Sequence, residues 1–350
     1  MTQLDTRSDA SATVVRRAAP PATALPAARR DVVPLLLAPI LALAMLPLLS
    51  LPTWITLTAA GLAMGMMIFL VASGLTLVFG LMNVLNFGHG AFVTVGAYTA
   101  TLVLLPMRGS LDADSLGANL GALGLAALLA MAVTALLGWA FERVVIMPVY
   151  GQHLKQILIT MGGMIVSEQL INVIWGAEAI PLPLPAALRG AIFLGDAPVE
   201  KYRLLAVAVG MLVFAAMVMT LNRSRIGLLI RAGVENGDMV ESLGYRIRRL
   251  FVGVFAAGSA LAGLGGVMWG LYKETLSASM GSDLLVTVFI VVIVGGLGSV
   301  EGCFIGAVLM ALVQNYAGFL APKLNLVSNV ALMILILLWR PAGVYTKGKL

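Results

Sequence analysis

The chain has 350 residues, 60% of them apolar and only 11% charged, against about 25% charged in an ordinary soluble domain. So little polar surface cannot cover so apolar an interior, which excludes a soluble fold and reads as an all-α polytopic membrane protein. The single cysteine, Cys303, excludes an internal disulfide and a paired-cysteine metal site, and the formal net charge of +6 bears on membrane sidedness rather than nucleic acid.

Residues 1–32 are rich in Ala, Pro and Arg, show no apolar period, and are read as a disordered cytoplasmic tail. Arg29 and Arg30 precede an apolar run as they would in a signal peptide. That run continues to Leu51 through Pro34, Pro39 and Pro47 without a cleavage site, so a retained first span is predicted. Nearly uncharged runs lie at about 33–51, 55–80, 91–105, 119–141, 157–175, 204–221, 251–271, 284–298, 304–320 and 325–339.

About ten transmembrane helices put both termini on one side. With that side cytoplasmic, the inner segments hold 16 of the 22 Lys and Arg residues, leaving Arg108, Arg189, Lys201, Arg203, Lys273 and Lys323 outside. The runs 91–105 and 284–298 are shorter than the ~17 residues a crossing needs, so eight full crossings plus broken or re-entrant elements is the alternative. The second run, 26 residues or about 39 Å, exceeds a ~30 Å hydrocarbon core and is expected to tilt or break at Gly74. Residues 33–345 are read as one transmembrane domain and 346–350 as a short cytoplasmic tail.

Small residues recur every fourth position at Gly258, Ala262, Gly266 and Gly270, and again at Gly61 and Gly65. They predict faces where another helix approaches closely, either within the bundle or from another subunit. Catalytic signatures are missing: the sequence has no phosphate-binding glycine loop and no H-E-x-x-H, and neither His89 nor His153 has partners at metal-ligand spacing. No cofactor and no metal are expected. A membrane enzyme would need a convergent pair of reactive groups, and an ATP-independent transporter or channel several intramembrane carboxylates. Only Glu168 falls well within a span, with Asn172 one turn on. Two readings of Glu168 stand: a group on a solute pathway, or a buried carboxyl that fixes packing.

Two glycine-rich elbows interrupt apolar runs. In VFGLMNVLNFGHGAF, Val78–Phe92, residues Asn83, Asn86, His89 and Gly90 stand at the interruption. In VIVGGLGSVEGCFIGAVL, Val292–Leu309, the corresponding residues are Gly295, Gly296, Gly298 and Glu301. His89-Gly90-Ala91-Phe92 aligns with Glu301-Gly302-Cys303-Phe304, and paired interruptions in separate halves point to a pathway built from broken helices. The first elbow is expected to reverse the chain near the cytoplasmic face, with Asn86 and His89 satisfying backbone groups freed by the break. The inner segment Asn222–Phe251 carries a short mixed-charge helix that Asn236 can cap and Gly244 can end, with Asp238 and Glu241 along it. An ordinary basic loop touching lipid headgroups is its other reading.

In order and spacing, GLTLVFGLMNVLNFGHGAFVTVGAY (74–98), IRAGVENGDMVESLGYRIRRL (230–250) and VVIVGGLGSVEGCFIGAVL (291–309) resemble the permeases of bacterial branched-chain amino acid ABC importers, more specifically the first of two paired permeases. The likeness runs from about 55 to 345. It implies an inner-membrane subunit without an ATPase site of its own, paired with a second, related permease (or with a copy of itself). Further implied partners are cytoplasmic ATPase subunits and a periplasmic solute-binding protein. The implied cargo is a branched-chain amino acid or a related small polar solute such as urea, an amide or an aromatic acid. The coupling segment 222–250 would carry the ATPase-seated helix at Ala232–Gly244, with Arg231, Glu235, Asp238, Glu241 and Gly244 at the contact.

Overall fold

A computed structural model describes residues 33–82 and 84–345, and for Pro34, Val234, Glu235, Asp238 and Leu326 the backbone alone. The 1–32 tail, Asn83 and the 346–350 tail lie outside the described residues. The helices are α1 (Val33–Met45), α2 (Leu51–Met82), α3 (His89–Leu104), α4 (Arg108–Leu111), α5 (Leu116–Phe141), α6 (His153–Trp175) and α7 (Lys201–Arg223). They are followed by α8 (Arg225–Glu235), α9 (Gly237–Ser242), α10 (Ile247–Lys273), α11 (Met280–Gly295), α12 (Val300–Leu320) and α13 (Asn325–Trp339).

Six helices are long and apolar enough to cross a bilayer: α2, α5 with its continuation to Val149, α6, α7, α10 and α12. Four shorter apolar helices, Leu35–Leu48, His89–Leu104, Met280–Gly295 and Val327–Trp339, accompany them. The two runs too short to cross unaided are therefore α3 and α11, each of 16 residues. Among the described residues the strands are short: β1 (Ile180–Pro181) pairs with β4 (Thr275–Leu276), and β2 (Ala191–Leu194) forms a hairpin with β3 (Ala197–Glu200).

α2 is the central post. Met67, Ile68, Phe69, Leu70 and Ala72 are at most 1% exposed, and a helix buried on every side must be apolar on every side. It packs against α12, α10, α7 and α11, while α3 lies against α10, α5, α11 and α6. α6 and α7 sit at the edge and expose large apolar side chains such as Leu158, Ile165, Val173 and Leu212; only acyl chains or another apolar protein surface make that exposure tolerable.

α2 does not break at Gly74: it runs unbroken for 32 residues, about 48 Å. Gly74 is instead the point where α10 comes closest, since a Cβ on the facing Gly258 would lie 2.7 Å from the Gly74 carbonyl oxygen. The four-residue stripe on α10 meets α2 at Gly258, α3 at Gly266 beside Val93, and Leu276 at Gly270, whereas Gly61 and Gly65 face Leu312 and Val308 of α12. These stripes pack helices of the same chain.

Because these contacts are backbone to backbone, Gly74→Leu has nowhere to put its side chain and should cost at least ~1–3 kcal/mol. Gly162→Leu, where a Cβ meets nothing within 4 Å, should leave the thermal midpoint of the detergent-purified protein unchanged. Fluorescence-detected unfolding of the two variants checks the contrast.

Candidate functional site

α3 begins beside the middle of α2, not at its end. The Nε2–H of His89 donates to the carbonyl of Val71 at 3.0 Å, a bond that fixes the tautomer. Val71 lies eleven residues, about 16 Å, before Met82. Residues 84–88 therefore return non-helically along the bundle to the level of Val71. Val84 and Asn86 are 0% exposed and His89 is 1% exposed.

Non-helical backbone at such depth needs partners from the protein, and they differ from the expected ones. Phe87 N–H donates to Thr160 Oγ1 of α6 at 3.2 Å, and the backbone N–H groups of His89 and Ala91 donate to the carbonyls of Asn86 and Gly88. His89 binds a carbonyl of α2 rather than of the elbow. Both polar atoms of the Asn86 side chain are buried without a hydrogen-bond partner among the described residues. Thr160, an ordinary threonine in an apolar run, gave the sequence no signal for this role.

The second interruption is capped more completely. α11 ends at Gly295; Gly296 and Gly298 have φ of +101° and +81°, a conformation that suits residues without a Cβ. Ser299 then accepts from Gly302 N–H at 3.0 Å to cap α12. The segment after α13 closes the end of α11, with Val344 N–H donating to Val294 O at 2.8 Å and Tyr345 N–H to Gly295 O at 3.2 Å.

The elbows meet through α11, one at each end. A Cβ on Gly90, in the first turn of α3, would lie 2.6 Å from Gly281 O at the start of α11; one on Gly295 would lie 2.5 Å from Gly302 O in the first turn of α12. Thr94 Oγ1 also accepts from Gly281 N–H at 3.0 Å. Glu168 of α6 is half-buried at this same corner, beside Ala91, Thr94, Met164 and Ala278. Ser282 Oγ lies 3.3 Å from Glu168 Oε2 and 2.7 Å from Ser279 O, so its single proton has two competing acceptors.

Glu301 in α12 accepts from Asn222 Nδ2 of α7 at 3.4 Å, which ties the second elbow to the start of the inner segment. There Ser224 caps α8 by accepting from Gly227 N–H at 3.1 Å, and Asn236 caps α9 by accepting from Met239 N–H at 3.0 Å. Gly244, at φ +87°, closes α9: its N–H donates to Glu241 O and the Tyr245 N–H to Val240 O, the double bond pattern of a glycine-ended helix. Arg231 and Glu241 are exposed; of Glu235 and Asp238 only the helical backbone is described. A cavity of about 570 Å³ beside α9 is lined by Glu241, Arg143, Arg246, Arg248 and Arg249.

Sequence reading passed over Glu142. It sits in the π-turn (Glu142–Ile146) that continues α5, is 5% exposed, and feels the nearby charges of Arg248 and Arg143. Its position at the edge of an apolar run, beside Arg143, made it look like the start of a loop.

The 57–338 region matches the family profile described as branched-chain amino acid transport system, permease component. The chain is 30% identical over 292 residues to BraD of Pseudomonas aeruginosa, a high-affinity branched-chain amino acid transport system permease protein; the match covers 81% of this chain and 93% of that protein. It is 27% identical over 293 residues to LivH of Escherichia coli K12, a permease of the same description, covering 81% and 92%. A more remote relative, the inner membrane ABC transporter permease protein YjfF of E. coli K12, is 24% identical over 266 residues, covering 71% and 79%.

Thr160→Val keeps the shape of the side chain and deprives the half-buried Phe87 N–H of its partner. A loss of ~1–3 kcal/mol is expected, read as a lower thermal midpoint, whereas Thr160→Ser should retain most of the stability. With its sequence matched from 57 to 338, the chain belongs to the family of permease components of branched-chain amino acid transport systems.

Proposed function

We propose that this chain is the membrane subunit of an ABC importer in a bacterial inner membrane, forming a pathway for a branched-chain amino acid or a related small polar solute. Hydrolysis of ATP belongs to partner subunits on the cytoplasmic side, solute capture to a periplasmic binding protein, and a second permease chain completes the assembly. On this reading the chain crosses with about ten helices, the six long ones and four shorter ones that include α3 and α11, and both termini and the α8–α9 segment are cytoplasmic. The concentration of Lys and Arg on that side supports the orientation.

The observation that carries the reading is the continuity between the inner segment and the two interruptions. α9 is rigidly capped at both ends. α10 starts three residues after Gly244 and runs unbroken past both α2 and α3. Asn222 and Glu301 link the same segment to α12. A push on α9 from an ATPase pair would move α10 and α12 as solid bodies, and these are the helices against which the elbows rest. Asn83, Asn86, His89, Gly90, Gly295, Gly296, Gly298 and Glu301 would then shape the break, and Glu168 its border. His89, spent on Val71, serves as a strut between α2 and α3 and not as a solute contact.

Replacing Asp238 and Glu241 together by lysine should leave membrane insertion intact and abolish stimulation of the partner ATPase; full stimulation would remove α9 from the coupling role. Glu168→Gln should change the rate or the KM of uptake in vesicles if the carboxyl borders the pathway, whereas unchanged kinetics with a lower thermal midpoint would assign it to packing. Uptake should require ATP and the binding protein, and accumulation driven by a proton gradient alone would favour a secondary transporter.

A further inference from the structure

A cavity of about 350 Å³ lies at the end of α10 away from the inner segment, some 27 residues or ~40 Å along the helix. It is lined by α2, the last turn of α10, β4, the start of α11 and α12, and it lies apart from both interruptions and from the inner segment. Lys273 and Asp283 both line it, with Thr287 and Gln314 between polar and apolar walls. The two charges form no direct ion pair with each other: among the described residues the ion pairs are Arg189–Asp112 and Arg203–Glu200.

Each charge is held in place. Lys273 Nζ sits 5.4 Å from the centroid of the Trp269 ring, itself part of the cavity wall. Asp283 stands in the first turn of α11, where a helix N-terminus favours an anion, and accepts from Ser279 Oγ at 3.2 Å. The backbone beside Lys273 is strained as well: Glu274, at φ +54°, is the one non-glycine residue with positive φ among those described. Its carbonyl accepts from Leu182 N–H at 2.8 Å, and the turn brings Thr275 and Leu276 over the cavity. Strain of this kind persists where the surroundings impose it.

A cation and an anion that face one small cavity over an apolar floor of Met64, Leu276 and Leu284 are the complement of a zwitterion with an aliphatic tail. We propose that this cavity is a subsite for a free α-amino acid, Lys273 taking the carboxylate and Asp283 the ammonium group. The volume lies at the lower end of the ~300–1,000 Å³ of small-molecule sites, which suits a single amino acid. The subsite deepens the importer reading and rests on it.

The test uses the assembled transporter in proteoliposomes, carrying Thr287→Cys or, in parallel, Gln314→Cys, with the rate of thiol labelling as readout. The native Cys303 is 0% exposed and stays silent. L-leucine should slow labelling, while leucinamide and 4-methylpentanoate, each lacking one charge, should be roughly tenfold less effective. Lys273→Gln should reduce leucine to the level of leucinamide, and Asp283→Asn to that of 4-methylpentanoate. ATP-driven leucine uptake by the same preparations is followed alongside. Uptake without protection at either cysteine overturns the subsite and leaves the importer reading standing. Absence of both uptake and protection removes the amino acid cargo and the subsite together. Charge variants that weaken capture of the solute-binding protein but leave leucine protection unchanged would assign Lys273 and Asp283 to a docking surface, which also overturns the subsite.

Discussion

The constraint on which this fold depends is the approach of one helix backbone to another where no side chain intervenes. In a bilayer, lipid tails are as apolar as leucine, so burial of apolar side chains does little to bring helices together; close packing and hydrogen bonds must do it. Gly74 against Gly258 seats α10 on α2, Gly90 against Gly281 seats α11 on α3, and Gly295 against Gly302 seats α12 on α11. A methyl group at any of these places would push two helices apart. The continuous α2 supplies the rigid surface to which the others refer, which is why its middle is sealed and its sequence is apolar all round.

The two short helices follow from the same constraint. A 16-residue helix spans about 24 Å, too little for the hydrocarbon core, and its free ends must find partners inside the protein. α11 finds them by lying between the first turns of α3 and α12, clasped by a glycine at each end and capped by the segment after α13. α3 begins at the level of Val71 because residues 84–88 climb back along the bundle, with Thr160 taking the Phe87 N–H. α11 packs against α12, α3, α2 and α13, so on the importer reading a movement of α12 reaches it directly.

Much of this architecture is legible in the sequence. Apolar runs longer than a crossing requires give the long helices directly. Asn236 and Gly244 mark the ends of α9 because capping chemistry is local, decided within four residues. The two elbows stood out because Asn, Gly and His in an apolar run demand an explanation. What escaped reading depended on contacts far apart in sequence. Gly74 looked like a weak point in a long helix when it is a seat for α10, and no local pattern distinguishes the two. Thr160 and Phe87 are 73 residues apart. Lys273 and Asp283 sat at the edges of separate runs, and only the turn at Glu274 with the β1–β4 pairing brings them to one cavity.

The distribution of charge along the bundle bears on how such a protein carries a charged solute. Within the helices the carboxylates are few: Glu168 is half-buried beside Ser282, and Glu142 is buried near Arg248 and Arg143. A fixed unpaired charge deeper in the bundle would be costly by itself, and it would hold a zwitterion too firmly to release it. Conduction requires sites that bind well enough for entry and weakly enough for exit. At the proposed subsite Lys273 and Asp283, both exposed, would meet the two charges of a zwitterion where desolvation is mild. Beyond them, on the importer reading, the interrupted helices would offer backbone dipoles, Ser and Thr hydroxyls and the Asn86 amide, groups able to accompany a dipolar solute without trapping it. Selectivity on this arrangement rests at the entrance, and the interior has only to open.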